Sequence, residues 1–250
     1  MGNIMKYIQY NKIGHTAFVV LNRPLSLNSI NEQMNRELEE VCHTIQIDRE
    51  VYVAVITGVG NKAFCVGSEL QSSWKPYEAT IAIASIDCPV IAAINGDTFG
   101  LGMEIALSCD LRIASAEARF SLPQIIRGEF PSNGATQRLS RIVGKSQALE
   151  LLLTGRVLDA KEALFMGLVN KVFPAEELNG EIGKLTQGIE SKAPIASKFI
   201  KEAVYKGIDL TLEQGLRLEA DLYFLLHTTF DRTEGINAFR GKRMPEFRGE

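Results

Sequence analysis

The sequence predicts an α/β fold with a helical C-terminal part, on three observations. Short apolar, β-branched runs recur up to about residue 175, clearest at Thr16–Asn22, Val51–Thr57 and Pro89–Ile94. Each has the length of a buried strand, and the segments between them carry apolar residues at helical spacing. Beyond about residue 175 the pattern is helical to the end, with breaks at Pro194, Gly207 and near His227. Alternation followed by helices alone describes an α/β core with a helical appendage.

Taken in order, Met5–Tyr10 and Thr16–Asn22 read as strands, and Pro24 ends the second. A helix follows, for which Ser29 and Glu32 fit a capping box. Met34, Leu38, Val41 and Ile45 then share one helical face. Val51–Thr57 is a buried strand stopped by Gly58-Val-Gly60, and Phe64–Leu70 is a strand running into a turn. Residues 71–80 are polar and loop-like around Trp74, and a helix is expected over roughly 76–86. The Pro89–Ile94 strand leads into Asn95–Glu104 and then a helix over Met103–Ser108. Leu111–Ala114 and Arg119–Ser121 read as strands. A polar loop, Arg127–Gly134, precedes helices near 135–142 and 145–154. A short helix at Asp159–Met166 and a strand at Leu168–Phe173 complete the alternating part. No fixed-period repeat, low-complexity tract or Pro/Gly-rich linker interrupts the chain.

Bulk properties narrow the function. The 250 residues are 46% hydrophobic and 23% charged, enough for a substantial core. A net charge of -3 gives no electrostatic reason to expect nucleic acid. No apolar run reaches membrane-spanning length and no signal-peptide core opens the chain, so no membrane association and a cytoplasmic setting are expected. The four cysteines (Cys42, Cys65, Cys88, Cys109) form no CxxC pair and are expected to be buried thiols in a reducing compartment. His15, His43 and His227 are scattered, and no metal site is expected.

Three segments carry possible chemistry. In Gly100-Leu-Gly-Met-Glu104, a glycine-rich turn enters a helix whose first N–H groups lack intrahelical acceptors and carry partial positive charge. A carboxylate in that same turn suits chemistry on a carbonyl compound passing through an enolate. A close-packed strand–helix junction explains the glycines equally well. The segment matches neither GxGxxG nor GxxxxGK[ST], so a nucleotide site is not indicated. In Cys65-Val-Gly-Ser-Glu-Leu70 a glycine again follows a strand, placing the Ser68 N–H to point into a cleft or simply to end a β-turn. Cys65 has apolar neighbours and no nearby histidine, which fits a buried thiol better than a nucleophile. In Ser121–Gly134, Gln124 and Glu129 are the side chains of interest, on a polar loop of the sort that lines sites or faces solvent. The basic Arg240-Gly-Lys-Arg243 is a solvated helix end or a phosphate contact.

These segments, taken in order, resemble the crotonase (enoyl-CoA hydratase/isomerase) superfamily. The similarity runs through Leu21–Pro24, Ala63–Leu70, Pro89–Gly96, Gly100–Ala114, Thr136–Leu139, Ala148–Gly155, Ala163–Lys171 and Phe239–Phe247. It covers essentially the whole chain, and eight motifs in order are far more specific than any one. The resemblance implies a spiral of β-β-α repeats over residues 1–190, with the acyl-CoA site, and a C-terminal helical trimerisation region over 191–250. It implies a homotrimer, or a hexamer made as a dimer of trimers, acting on an acyl-CoA or acyl-carrier-protein thioester. Coenzyme A is then part of the substrate and no separate cofactor is implied.

Carried over residue by residue, the catalytic positions are Glu104 and Gln124, with the amides of Ser68 and Leu101 holding the thioester oxygen. Substrate and coenzyme A positions fall to Arg23, Leu25, Ala63, Cys65, Gly67, Leu70, Gly100, Pro123, Glu129 and Pro131. Lys242 is matched to a phosphate contact, and Tyr223 to the adenine from a neighbouring subunit. Two departures stand out. Leu101 replaces a glycine, so its side chain has to be housed. Gln124 replaces the second glutamate of the hydratases and cannot exchange a proton as an acid or base. Glu129 is the candidate substitute carboxylate. Ser132 stands where dehalogenase-type and dienoyl-isomerase-type relatives carry an aspartate, which speaks against those reactions. The expected activity is therefore an enoyl-CoA hydratase or dehydratase with a single catalytic glutamate. The alternatives are an enoyl-CoA isomerase or a decarboxylase of an unusual acyl thioester, or a non-catalytic acyl-CoA-binding paralogue.

Overall fold

The computed structural model describes residues 5–69 and 78–250. The chain opens with a hairpin of β1 (Ile8–Ile13) and β2 (Thr16–Leu21), with Gly14 at φ +58° in its two-residue turn. Then α1 (Glu32–Ile47) buries Met34, Leu38, Val41 and Ile45, the face its spacing predicts. Its N-cap is Asn31, whose side chain accepts the Met34 N–H at 2.9 Å, and not the Ser29/Glu32 box expected from sequence. The reason lies one residue upstream: Ile30 pairs in extended form with Ser68, so the helix cannot begin before Asn31.

The next three units share one plan, a strand in a large sheet, a strand in a small sheet, then a helical turn. The first is β3 (Val53–Gly58), β4 (Ala63–Cys65) and α2 (Ala79–Ala84). The second is β5 (Val90–Ile94), β6 (Asp97–Phe99) and α3 (Leu101–Ser108). The third is β7 (Leu111–Ser115), β8 (Arg119–Ser121) and a 3₁₀ turn over Pro123–Arg127, followed by α4 (Ala135–Val143) and α5 (Lys145–Thr154). Short β9 (Leu158–Asp159), α6 (Ala160–Phe165) and β10 (Lys171–Phe173) close the spiral. The large sheet runs β1-β2-β3-β5-β7-β10, parallel from β2 onward, and the small sheet runs β4-β6-β8-β9.

Successive β3 residues serve opposite faces, as the strand period requires. Ala54 and Ile56 join the main core with α1 and α3. Val53 and Val55 join Ile91, Ala93 and Ile113 in a second core under Leu178 and Ile182 of α7 (Ala175–Glu190). Helices α8 (Pro194–Gly207), α9 (Leu212–Leu226) and α10 (Phe230–Arg240) follow, with breaks where the sequence places them. Lys201 anchors α8 to the core through Asp110 at 2.8 Å and the Cys88 carbonyl at 3.0 Å. The tail folds back on α10: Asp231 accepts the Arg248 and Gly249 N–H groups at 2.7 and 2.9 Å, and Glu234 pairs with Arg243. No described helix is long and apolar enough to cross a membrane.

Candidate active site

The site forms where the second spiral unit crosses the first. Asn95, at the end of β5, gives its side-chain N–H groups to the carbonyls of Gly58, Gly60 and Ala63 at 2.9, 2.8 and 3.2 Å. The Asn28 amide also holds the Ala63 carbonyl, at 2.8 Å. These bonds hold the turn between β3 and β4 against the end of β5 and the segment before α1. Gly100 then turns the chain at φ +53° into α3. Gly102 lets the new helix lie directly on β4, since a Cβ there would stand 2.0 Å from the Cys65 carbonyl oxygen. Gly67 turns at φ +121°, and a Cβ on Gly100 would sit 3.7 Å from its Cα. The two glycine backbones are therefore in contact, and each is followed by an amide of interest, Ser68 and Leu101. Among the described residues neither of these two N–H groups has a hydrogen-bond acceptor. The Leu101 side chain is buried in the main core, so its bulk is absorbed by the packing.

Glu104, one turn into α3, is 1% exposed. Its Oε1 accepts the backbone N–H of Asn133 at 2.8 Å and that of Ala135 at 3.3 Å, at the start of α4. Its Oε2 faces the side-chain amides of Asn133 at 3.4 Å and Gln124 at 3.5 Å. Burial raises the carboxyl above its ordinary pKa; the Asn133 and Ala135 N–H groups, the Asn133 side chain and Arg138 oppose this without reversing it. A carboxyl moved toward neutrality by its surroundings is suited to both accept and return a proton.

Gln124 sits in the 3₁₀ turn begun by Pro123. Among the described residues its buried Oε1 has no hydrogen-bond partner, and it lies on the side chain that faces the Glu104 carboxylate. Glu129 is not brought to Glu104 as a second carboxylate. It closes the turn through its backbone N–H on the Gln124 carbonyl at 3.0 Å, while its exposed carboxylate pairs with Arg127 at 2.8 Å. That arginine lowers the Glu129 pKa and keeps the group charged. Pro131 is half-buried beyond the exposed Phe130.

The remaining expected positions divide by location. Arg23 holds the Ser29 carbonyl at 2.6 Å and pairs with Glu69, so it ties the segment before α1 to the turn after β4. Leu25 is fully exposed in a 3₁₀ turn over Pro24–Ser26. Cys65 is fully buried and burial pushes its thiol up to about 12, which makes it inert beside the site. Leu70 and Trp74 lie outside the described residues. Tyr223 is exposed on α9 against Phe224 and His227, and Lys242 is exposed after α10 at φ +51°; neither has a described contact with Glu104. Asn133, Ala135 and Arg138 were not anticipated. The polar loop containing Asn133 was legible as a site wall, but Asn133 and Ala135 hold Glu104 mainly through backbone N–H groups, which leave no side-chain signature.

Comparison with known proteins supports the fold and one family. The family model described as Enoyl-CoA hydratase/isomerase matches residues 13–250. The chain is 38% identical over 246 residues to the (E)-benzylidenesuccinyl-CoA hydratase of Thauera aromatica, covering 94% of this chain and 96% of that one. It is 37% identical over 248 residues to the short-chain-enoyl-CoA hydratase of Clostridium acetobutylicum, covering 94% and 95%. The crystal structure of an enoyl-CoA hydratase from Bacillus anthracis superposes with a TM-score of 0.94 at 35% identity, covering 98% of this chain and 100% of that one.

Proposed function

The chain belongs to the enoyl-CoA hydratase/isomerase family, and from that premise we propose that it adds water reversibly across the double bond of an enoyl thioester with Glu104 as its single catalytic carboxylate. In this reading the thioester oxygen lies between the Ser68 and Leu101 N–H groups. Glu104 takes a proton from water as the water oxygen bonds to C3. The C2–C3 π pair moves toward the thioester, and the enolate charge collects on the oxygen held by the two amides. Glu104 then returns the proton to C2. The Gln124 carbonyl oxygen receives the second hydrogen of the attacking water and so orients it. The observation that carries the reading is a buried carboxyl, held by two backbone N–H groups and raised by burial, beside an amide oxygen that has no partner among the described residues.

A second reading is favoured by one specific residue. Gln124 is not a carboxylate, and moving a double bond requires only one group to carry a proton from one carbon to another. An enoyl-thioester isomerase would use Glu104 and the same two amides but no water. Gln124→Leu separates the two. Water addition to crotonyl-CoA is expected to fall about 10- to 100-fold with little change in KM, while isomerisation of a 3-enoyl thioester is retained. Hydration at the wild-type rate in that variant contradicts the role given to Gln124.

We also assign residues 191–250 to assembly. Leu212, Leu216 and Tyr223 lie exposed along α9, with Phe224 beside them, an apolar surface of a sort that monomers rarely leave open. The expected solution species is a trimer or hexamer, at three or six times the 27.6 kDa of the chain in sedimentation. Tyr223 and Lys242 would then face the coenzyme A of a neighbouring subunit. A monomer at micromolar concentration contradicts this assignment.

A further inference from the structure

Arg138 occupies a position that helix stability does not explain. It lies in the first turns of α4, where a cation opposes the helix dipole. Its side chain nevertheless turns back toward the helix start. Nη1 donates to the Asn133 carbonyl at 2.9 Å. The guanidinium lies directly over Gly134, where a Cβ would fall 2.3 Å from Nη1, and Gly134 holds the left-handed value φ +98°. Asn133 and Ala135, on either side of that glycine, are the residues whose N–H groups hold Glu104 Oε1. The guanidinium thus clamps the turn that grips the catalytic carboxylate, and it is itself partly desolvated there.

We propose that Arg138 is a positioning residue for Glu104: it locks the 133–135 turn that aims two N–H groups at the carboxylate and places a fixed positive charge behind it. This rests on the reading of Glu104 as the proton carrier. Among the described residues, other charges near Glu104 are few or already committed. From β4 the neighbour is the neutral Cys65 thiol, and α2 carries no ionisable side chain, with Glu78 only at its N-cap. From β6 comes Asp97, paired with Arg119 at 2.6 Å, and from the 3₁₀ turn Arg127, paired with Glu129. Arg141, further along α4, is directed to Asp209 at 3.2 Å. Arg138 is the group among these whose field acts on Glu104. On its far side it lines a cavity with the Tyr205 phenol and the Cys109 thiol, both pushed up by burial and therefore uncharged near neutral pH, and with Arg112 and Asp110, the latter paired with Lys201.

The test compares Arg138→Gln and Arg138→Lys with the wild type, using Arg141→Gln as a control on the same helix. In Arg138→Gln the acid limb of the kcat profile is expected to move up by about half to one pH unit, because the carboxylate loses a nearby cation. At neutral pH kcat falls up to about tenfold and KM stays within about twofold. Arg138→Lys keeps the charge but not the planar clamp, so kcat falls while the limb stays in place. Arg141→Gln keeps both. The Glu104 carboxyl band in infrared difference spectra, identified by its loss in Glu104→Gln, is expected to titrate higher in Arg138→Gln. That titration needs no turnover, so it decides the role of Arg138 even if no enoyl thioester proves to be a substrate. A folded Arg138→Gln with an unmoved limb and an unmoved band overturns the proposal, as does an Arg138→Lys enzyme with wild-type kcat.

Discussion

Glu104→Gln is expected to lower turnover of enoyl thioesters by about 10²- to 10⁴-fold, the usual worth of a positioned acid–base group. The substitution keeps the shape of the side chain and leaves an oxygen for the Asn133 and Ala135 N–H groups, so KM should change little. It also removes a group that is costly to ionise. The folded-state pKa of Glu104 lies above its ordinary value because burial dominates. Folding therefore favours the protonated carboxyl, and the ionised form reduces stability as pH rises through the raised pKa. At neutral pH the variant should melt at or above the wild-type temperature. The difference should shrink below the ordinary carboxylate range, where both side chains are neutral. Loss of activity together with equal or greater stability is the signature of a residue kept for chemistry. A variant that melts well below wild type at neutral pH would place Glu104 in a structural role instead.

Gly102→Ala is expected to damage both fold and activity. The added methyl would meet the Cys65 carbonyl oxygen at 2.0 Å, its carbon at 2.7 Å and the Cys65 Cβ at 2.8 Å, none of them on a flexible side-chain end. Relief requires α3 to move away from β4. Overpacking of this severity costs about 3 kcal/mol or more, and in a chain of this size that lowers Tm by about 6–12 °C. The same movement separates the Leu101 N–H from the Ser68 N–H. Displacing catalytic groups by about 1 Å costs on the order of 10²-fold, so turnover per folded molecule should fall by about that much. Gly180→Ala is the control, because Gly180 is a solvent-facing residue of α7 with nothing within 4 Å of the added atom. It should leave activity unchanged and stability equal or slightly higher. Thermal unfolding paired with assays on each variant measures both effects, and wild-type turnover in Gly102→Ala would remove the close approach of α3 and β4 from the account.

Elements with strong periodicity or a β-branched run were legible without coordinates. The face of α1 through Met34, Leu38, Val41 and Ile45 is such a case, as are the cores of β3 and β5 and the breaks between α7, α8, α9 and α10. Three-residue β6 was not, because Asp97–Phe99 sits among glycines that signal a turn and its strand character comes from pairing with β4 and β8. The start of α1 differs from the Ser29 cap that the sequence predicts because its limit is set by the distant pairing of Ile30 with Ser68, which no local capping signal encodes. At the site, the sequence marked Glu104 and Gln124. It could not mark the Asn133 and Ala135 amides, which any residue other than proline can supply. Nor could it show that Glu129, the nearest spare carboxylate in sequence, is held by Arg127.

In the proposed reaction a single carboxylate, Glu104, carries the proton between water and C2 of an enoyl thioester. Its most direct test is incubation of crotonyl-CoA with the wild type and with Glu104→Gln in deuterated water, followed by mass spectrometry of the thioester. The wild-type product is expected to be heavier by one water, with one deuterium on carbon at C2 that survives transfer to ordinary water, and the variant is expected to leave only starting material over the same time. Equal formation of that deuterated product by the variant would contradict it.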